Sequence, residues 1–253
     1  MPSRRTALGA AVLVVLIVLA VAVVRKRDAG PTRVALFGDS LTAQAQPYVT
    51  KMFAASPRYD ARVLSLAGTA ICDWFGNISR VRDSFHPQVV AFQFVGNDIF
   101  KCMRNPNGSK LPNAAYLAHW ERDTRHAIGL FGPNVKIVLI GPPAMETPDD
   151  RVYNIFRRLP KQYPNVSFVD GDPMVSPHRR FVKTLPCLEG EPCTGPVVGN
   201  VRTNVVRASD GVHFCPVVAA PGQPCAVYAS GAYRFAITEF TGITGERPPR
   251  TGP

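Results

Sequence analysis

Two widely separated segments of this chain hold the residue types from which a serine nucleophile is built. Asp210-Gly211-Val212-His213 offers an imidazole that can take a hydroxyl proton and a carboxylate that can hold the imidazole in the right tautomer. The spacing lets both side chains leave one tight turn in the same direction. The remaining histidines, His86, His119, His126 and His178, have no comparable acid in a glycine-containing turn. Upstream, Gly38-Asp39-Ser40-Leu41 follows an apolar run and opens a helical stretch. This sets the Ser40 hydroxyl at the carboxyl end of a strand, the edge where open α/β sheets bind ligands. Taken alone the segment is a weak signal, because Asp and Ser are ordinary helix N-caps.

Acyl transfer also needs N–H donors about 3 Å from the position of the developing oxyanion. Leu66-Ala67-Gly68-Thr69 and Val95-Gly96-Asn97-Asp98 each follow a further apolar run. The Gly68 backbone N–H and the Asn97 side-chain amide suit that task, although either segment could be a mere strand-ending turn.

The elements that must position these residues alternate in type. Short runs rich in Val, Ile, Leu and Phe predict strands at Arg33–Phe37, Ala61–Leu66, Val89–Val95, Lys136–Ile140 and Val166–Asp170. Helices are expected at Leu41–Ala55, Trp74–Ser84, Ala114–Phe131, Asp149–Gln162 and Ser230–Phe240. Continuous apolar strands with helices between them suit a parallel sheet buried on both faces. Pro173 to Pro224, rich in Pro, Gly and Cys, reads as long surface loops, and Gly242 to Pro253 as a frayed tail. The expected organisation is a targeting segment over residues 1–30, one catalytic domain over 31–241, and a flexible tail over 242–253.

The formal charge of +11 invites a nucleic-acid reading, but six of the 29 basic side chains and one of the 18 acids fall within residues 1–33. The remainder carries 23 against 17, and no aromatic-interleaved basic stripe accompanies that excess. No nucleic-acid partner is expected. Ala7 to Val24 is an uncharged apolar run that would span roughly 27 Å as a helix at about 1.5 Å per residue. It reads as one transmembrane signal anchor, with cleavage and secretion as the alternative. All six cysteines lie downstream of it, which places the domain in an oxidising compartment outside the membrane. Six cysteines permit fifteen pairings. The short separations of Cys187 from Cys193 and of Cys215 from Cys225 favour local staples, which would leave Cys72 with Cys102.

Taken in order, the Ser, Gly, Asn and Asp-x-x-His segments resemble the SGNH/GDSL hydrolase family, whose four blocks span Gly38 to His213 here. The resemblance implies Ser40 as nucleophile, His213 as base and Asp210 as its orienter. It further implies an oxyanion hole made from the Ser40 and Gly68 backbone N–H groups with the Asn97 side chain. The fold implied is a flavodoxin-like three-layer α/β/α sandwich with a five-stranded parallel sheet. Two departures stand out: Val95 and Gly96 replace the family's usual Gly-x before Asn97, and Cys215 to Cys225 intervenes before Ser230, the expected N-cap of the last helix. The Cys72-Asp73-Trp74 and Cys102-Met103 contexts are similar to secreted actinobacterial SGNH domains, including those fused to membrane acyltransferases that modify envelope polysaccharides. Envelope acyltransferase or polysaccharide machinery is therefore an expected partner. A Cys72–Cys102 bond would tie the Gly68 and Asn97 loops together.

The expected activity is an extracytoplasmic serine esterase that cleaves carboxylic esters, with acetyl the expected acyl group, from an envelope glycan or lipid. An O-acyltransferase with the same triad, and a catalytically silent glycan-binding protein, are the alternatives. The first strand is not followed by Gly-x-Gly-x-x-Gly, no P-loop is present, and no His-Glu-x-x-His or Cys-x-x-Cys occurs. No cofactor and no metal are expected.

Overall fold

In the computed structural model of the protein, residues 30–217 and 224–249 are described. The expected anchor at Ala7–Val24 lies outside them. Among the described residues no helix is long and apolar enough to cross a membrane.

Strands β1 (Thr32–Gly38), β2 (Tyr59–Ser65), β3 (Val89–Gln93), β4 (Lys136–Ile140) and β5 (Val166–Val169) form one sheet in the order β2-β1-β3-β4-β5. All of its pairings are parallel, and the order is the flavodoxin-like one. Helices α1 (Ser40–Ala54), α2 (Phe75–Phe85), α3 (Asn113–Gly129), α4 (Arg151–Arg158) and α5 (Ser230–Thr244) cover it. Side chains alternate across each strand, so one sequence supplies two cores. Phe37, Phe92 and Leu139 pack with α2, α3 and α4 on one face. Leu36, Ala91 and Val138 pack with α1 and α5 on the other. This is the expected three-layer arrangement.

Several boundaries differ from expectation for local reasons. β3 ends at Gln93 rather than Val95, because the Val95 N–H turns to the Asp39 carboxylate at 2.6 Å and leaves the ladder. The fourth helix stops at Arg158 and continues as a 3-10 turn over Leu159–Gln162, where Pro160 cannot donate to an α-helical ladder. The expected tail at Gly242 begins too early. α5 runs to Thr244, Ile243 is buried, and Arg58 pairs with Glu246. Nor is the segment after Pro173 only loop. β6 (Thr184–Pro186), β7 (Val197–Val198) and β8 (Val201–Val205) form a small antiparallel sheet in the order β6-β8-β7. Ser230 does not cap α5 either. Ala229 holds the N-cap position, and the Ser230 hydroxyl donates to the buried Glu191 carboxylate at 3.0 Å.

Candidate active site

β1 lies between β2 and β3, so its carboxyl end is flanked by both loops expected to carry donors. The Leu66 N–H donates to the Gly38 carbonyl at 3.2 Å on one side, and the Asp39 N–H donates to the Gln93 carbonyl at 3.3 Å on the other. Ser40 is the first residue of α1 and is only 9% exposed. A first-turn position leaves its own N–H outside the helical ladder and at the positive end of the helix dipole.

The Asp-x-x-His turn reaches Ser40 across 173 residues of chain, with His213 Nε2 2.9 Å from Ser40 Oγ. On the far side of the ring, His213 Nδ1 lies 2.6 Å from Asp210 Oδ2. Asp210 Oδ1 also accepts the Val212 and His213 N–H groups at 2.9 and 3.0 Å, which fixes the carboxylate before the imidazole is oriented. Burial alone would raise the Asp210 carboxyl. The backbone and ring hydrogen bonds from His213, with the Val212 N–H, outweigh it and hold the group below its ordinary value. Gly211 adopts φ +72°, and a Cβ there would sit 2.4 Å from Glu146 Cβ, so the turn requires glycine. Three groups outside the motif brace it. The Gln44 side chain accepts the Phe214 N–H at 2.7 Å, the Glu146 N–H donates to the Gly211 carbonyl at 3.0 Å, and Arg207 donates to the Val212 carbonyl at 2.9 Å. Arg207 is 1% exposed. It also donates to the Ala144 carbonyl and the Ser176 hydroxyl, each at 2.8 Å, and lies over the Phe214 ring. Burial lowers its guanidinium to about 10, and it is a positioning residue for the turn.

The structure brings Gly68 and Asn97 to the same edge. Among the described residues neither the Ser40 nor the Gly68 backbone N–H has an acceptor. The Asn97 amide is placed differently from expectation, because Nδ2 lies 3.1 Å from both Asp39 Oδ2 and the Thr69 carbonyl. Both of its hydrogens are directed at protein acceptors, so it clamps the Gly68 loop to the strand end. It could donate to an oxyanion only in exchange for one of them. Asp39 is the centre of this arrangement: one oxygen accepts the Leu41 N–H at 3.1 Å, and the other accepts Val95 and Asn97. Complete burial pushes its carboxyl up to about 7 against the lowering effect of the Val95 and Leu41 N–H groups. The displaced glycine of the third block has a steric cause. Gly96 sits at φ +109°, with the Tyr116 hydroxyl 2.6 Å from where a Cβ would lie.

Below the nucleophile, Thr42 Oγ1 lies 2.8 Å from Gln93 Oε1 and 2.6 Å from Glu239 Oε1. One hydroxyl hydrogen cannot serve both acceptors. Two arrangements satisfy all three groups: a protonated Glu239 donating to Thr42, which then donates to Gln93, or a turned Gln93 amide whose Nε2, otherwise without a partner, donates to Thr42. Glu239 is fully buried, and desolvation raises its carboxyl to about 8, with the charge of Asp39 adding to the rise.

The chain pairs Cys72 with Cys102, Cys187 with Cys193, and Cys215 with Cys225. The first bond joins the segment after Gly68 to the segment after Asn97, and the third closes the loop that follows His213.

The family profile described as protein of unknown function DUF459 matches residues 33–219, which contain Ser40, Gly68, Asn97, Asp210 and His213. The chain belongs to the DUF459 family. No curated protein matches it. Among solved structures, this DUF459 chain is similar to the C-terminal catalytic domain of Streptococcus pneumoniae peptidoglycan O-acetyltransferase A, solved with a methylsulfonyl adduct. That likeness has 12% identity and a TM-score of 0.50, and it covers 86% of this chain and 95% of the other. An acetylxylan esterase from Geobacillus stearothermophilus matches at 16% identity and TM-score 0.44, over 58% of this chain and 79% of its own. A putative acylhydrolase from Bacteroides fragilis matches at 17% and 0.44, over 73% and 81%. At such identities the likeness is one of fold. The DUF459 chain has the α/β fold of the SGNH hydrolases, as the order of its four blocks implied.

Proposed function

We propose that this protein is a serine acyl-ester hydrolase in which Ser40 is the nucleophile, His213 the general base and acid, and Asp210 the group that orients it. The observation that carries the reading is the continuous contact from Ser40 Oγ to His213 to Asp210, at 2.9 and 2.6 Å. It lies at the same sheet edge as two backbone N–H groups, at Ser40 and Gly68, that have no acceptor among the described residues. In the proposed reaction His213 Nε2 takes the Ser40 proton as Oγ attacks the ester carbonyl, and Asp210 stabilises the imidazolium. The carbonyl oxygen, now an oxyanion, turns to the Ser40 and Gly68 N–H groups, with Asn97 holding the Gly68 loop and available as a third donor. The imidazolium then protonates the departing alcohol, leaving an acyl group on Ser40. Water, deprotonated by His213, releases that group as the carboxylic acid.

The substrate in this reading is an acylated glycan or lipid of the cell envelope. The catalytic domain lies outside the membrane, tethered through Ala7–Val24 or released after cleavage there. Three disulfides joining all six cysteines support an oxidising compartment. A sugar hydroxyl in place of water would make the same site an O-acyltransferase. The fold likeness to a peptidoglycan O-acetyltransferase domain favours keeping that second reading. Hydrolysis of p-nitrophenyl acetate and butyrate, compared with Ser40→Ala and His213→Ala, tests the proposal. Each variant is expected to lose about six orders of magnitude in kcat. Equal turnover by Ser40→Ala would refute it.

A further inference from the structure

The two loops that carry Gly68 and Asn97 also present three large apolar side chains to solvent: Leu66 at 53% exposure, Ile99 at 59% and Phe100 at 43%. Two of them lie directly against Gly68. A Cβ built there would meet Ile99 Cδ1 at 3.1 Å and Phe100 Cε2 at 3.5 Å. The shelf is held in place. The Met103 N–H returns to the Phe100 carbonyl at 3.0 Å, Lys110 pairs with Asp98 at 3.1 Å, and Cys102 is bonded to Cys72.

We propose that Leu66, Ile99 and Phe100 form the subsite for the acyl chain of the ester, and that this chain is several carbons long rather than acetyl. The inference rests on the serine esterase reading, which fixes the substrate's orientation. The alcohol oxygen must lie by His213 Nε2 to receive its proton, and His213 is carried by a turn tied to Glu146 after β4 and to Gln44 on α1. The carbonyl oxygen faces the Ser40 and Gly68 N–H groups. The acyl chain is the substituent left without a partner, and the apolar side chains that stand against Gly68 are the adjoining surface that can take it. None of the three can hydrogen-bond, so the shelf suits a hydrocarbon chain better than a sugar ring. An acetyl methyl is too short to cover it.

The test is kcat/KM of the full-length chain, with its disulfides intact, for p-nitrophenyl acetate, butyrate, hexanoate and octanoate. Each value is normalised to hydroxide-catalysed hydrolysis of the same ester. Each methylene buried on the shelf should raise the normalised value about two- to fourfold up to hexanoate. Phe100→Ala and Ile99→Ala should bring the hexanoate-to-acetate ratio close to one. Both side chains are exposed, so melting temperatures should hold, and Leu66→Asn provides an independent variant with the same expected loss of ratio. A flat or falling profile, with acetate hydrolysis still abolished by Ser40→Ala, would overturn the subsite and leave the esterase standing. Hydrolysis that survives Ser40→Ala, or no hydrolysis of any ester, would overturn both. If Phe100→Ala instead raised KM for an acetylated oligosaccharide and left the acyl profile unchanged, the shelf would belong to a sugar ring and the proposal would fail.

Discussion

Asp39 joins the nucleophile's helix to the Asn97 loop, because its two oxygens accept Leu41, Val95 and Asn97 at once. An asparagine there keeps only one acceptor oxygen, so one side of the clamp is left unpaired in a fully buried position. Asp39→Asn should therefore cost about 1–3 kcal/mol of stability in denaturant titrations, with a larger fractional loss in esterase kcat than in KM. Unchanged kcat would show that the clamp is structural only. Glu239 makes a prediction about pH. Its carboxyl is raised from 4.5 to about 8, so between those values the folded state holds one more proton than the unfolded chain. Stability then falls as pH rises from about 5 to about 8. Glu239→Gln, which cannot ionise and whose amide can donate to Thr42, should lessen that decline in melting temperature, and Asp39, raised to about 7, supplies the part that remains. An equally steep decline in the variant would contradict a protonated Glu239. That Ser40, Asp210 and His213 meet was legible only from their combination, because Ser at a helix start and Asp in a Gly-containing turn are each common alone. Asp39 was visible only as an N-cap, although its cap bond to Leu41 is one of three it accepts. Arg207 and Glu239 carried no signal, since nothing in a single sequence marks which charged residue will be buried.

The five sheet strands were legible from apolar runs, because strands covered on both faces need no polar side chains. Their ends were not, since each is set by a contact made elsewhere in the fold. Val95 leaves β3 for Asp39, and α5 extends to Thr244 because Ile243 joins the core between sheet and helices. The small β6–β8 sheet was missed for its short strands, although Gly199-Asn200 between valines is a two-residue hairpin signal, and both residues adopt positive φ. Among the loops, the bond between Cys72 and Cys102 closes a separation of 30 residues and joins the two 3-10 turns that follow the candidate donor segments. Replacing both cysteines with alanine should lower stability by about 3–4 kcal/mol through the freer unfolded chain. If the bond also fixes the Gly68 and Asn97 loops, kcat should fall well below the melting point of the variant. Unchanged activity and melting temperature would refute both roles.

Across the whole molecule, no part of the site exists without the fold. Ser40 and His213 stand 173 residues apart in sequence, and the side chains between them come from the ends of β1, β2 and β3 and from the loops beyond β4 and β5. The sheet order places all of these at one edge, and the two cores on its faces hold that edge rigid. The central claim is that this edge makes Ser40 a nucleophile with His213 as its base. It is tested most directly by treating the folded chain with phenylmethylsulfonyl fluoride and locating the adduct by peptide mass mapping. The account predicts a single adduct on Ser40 that is lost in His213→Ala and in the unfolded protein. Labelling of another residue, or labelling of Ser40 at an undiminished rate in His213→Ala, would contradict it.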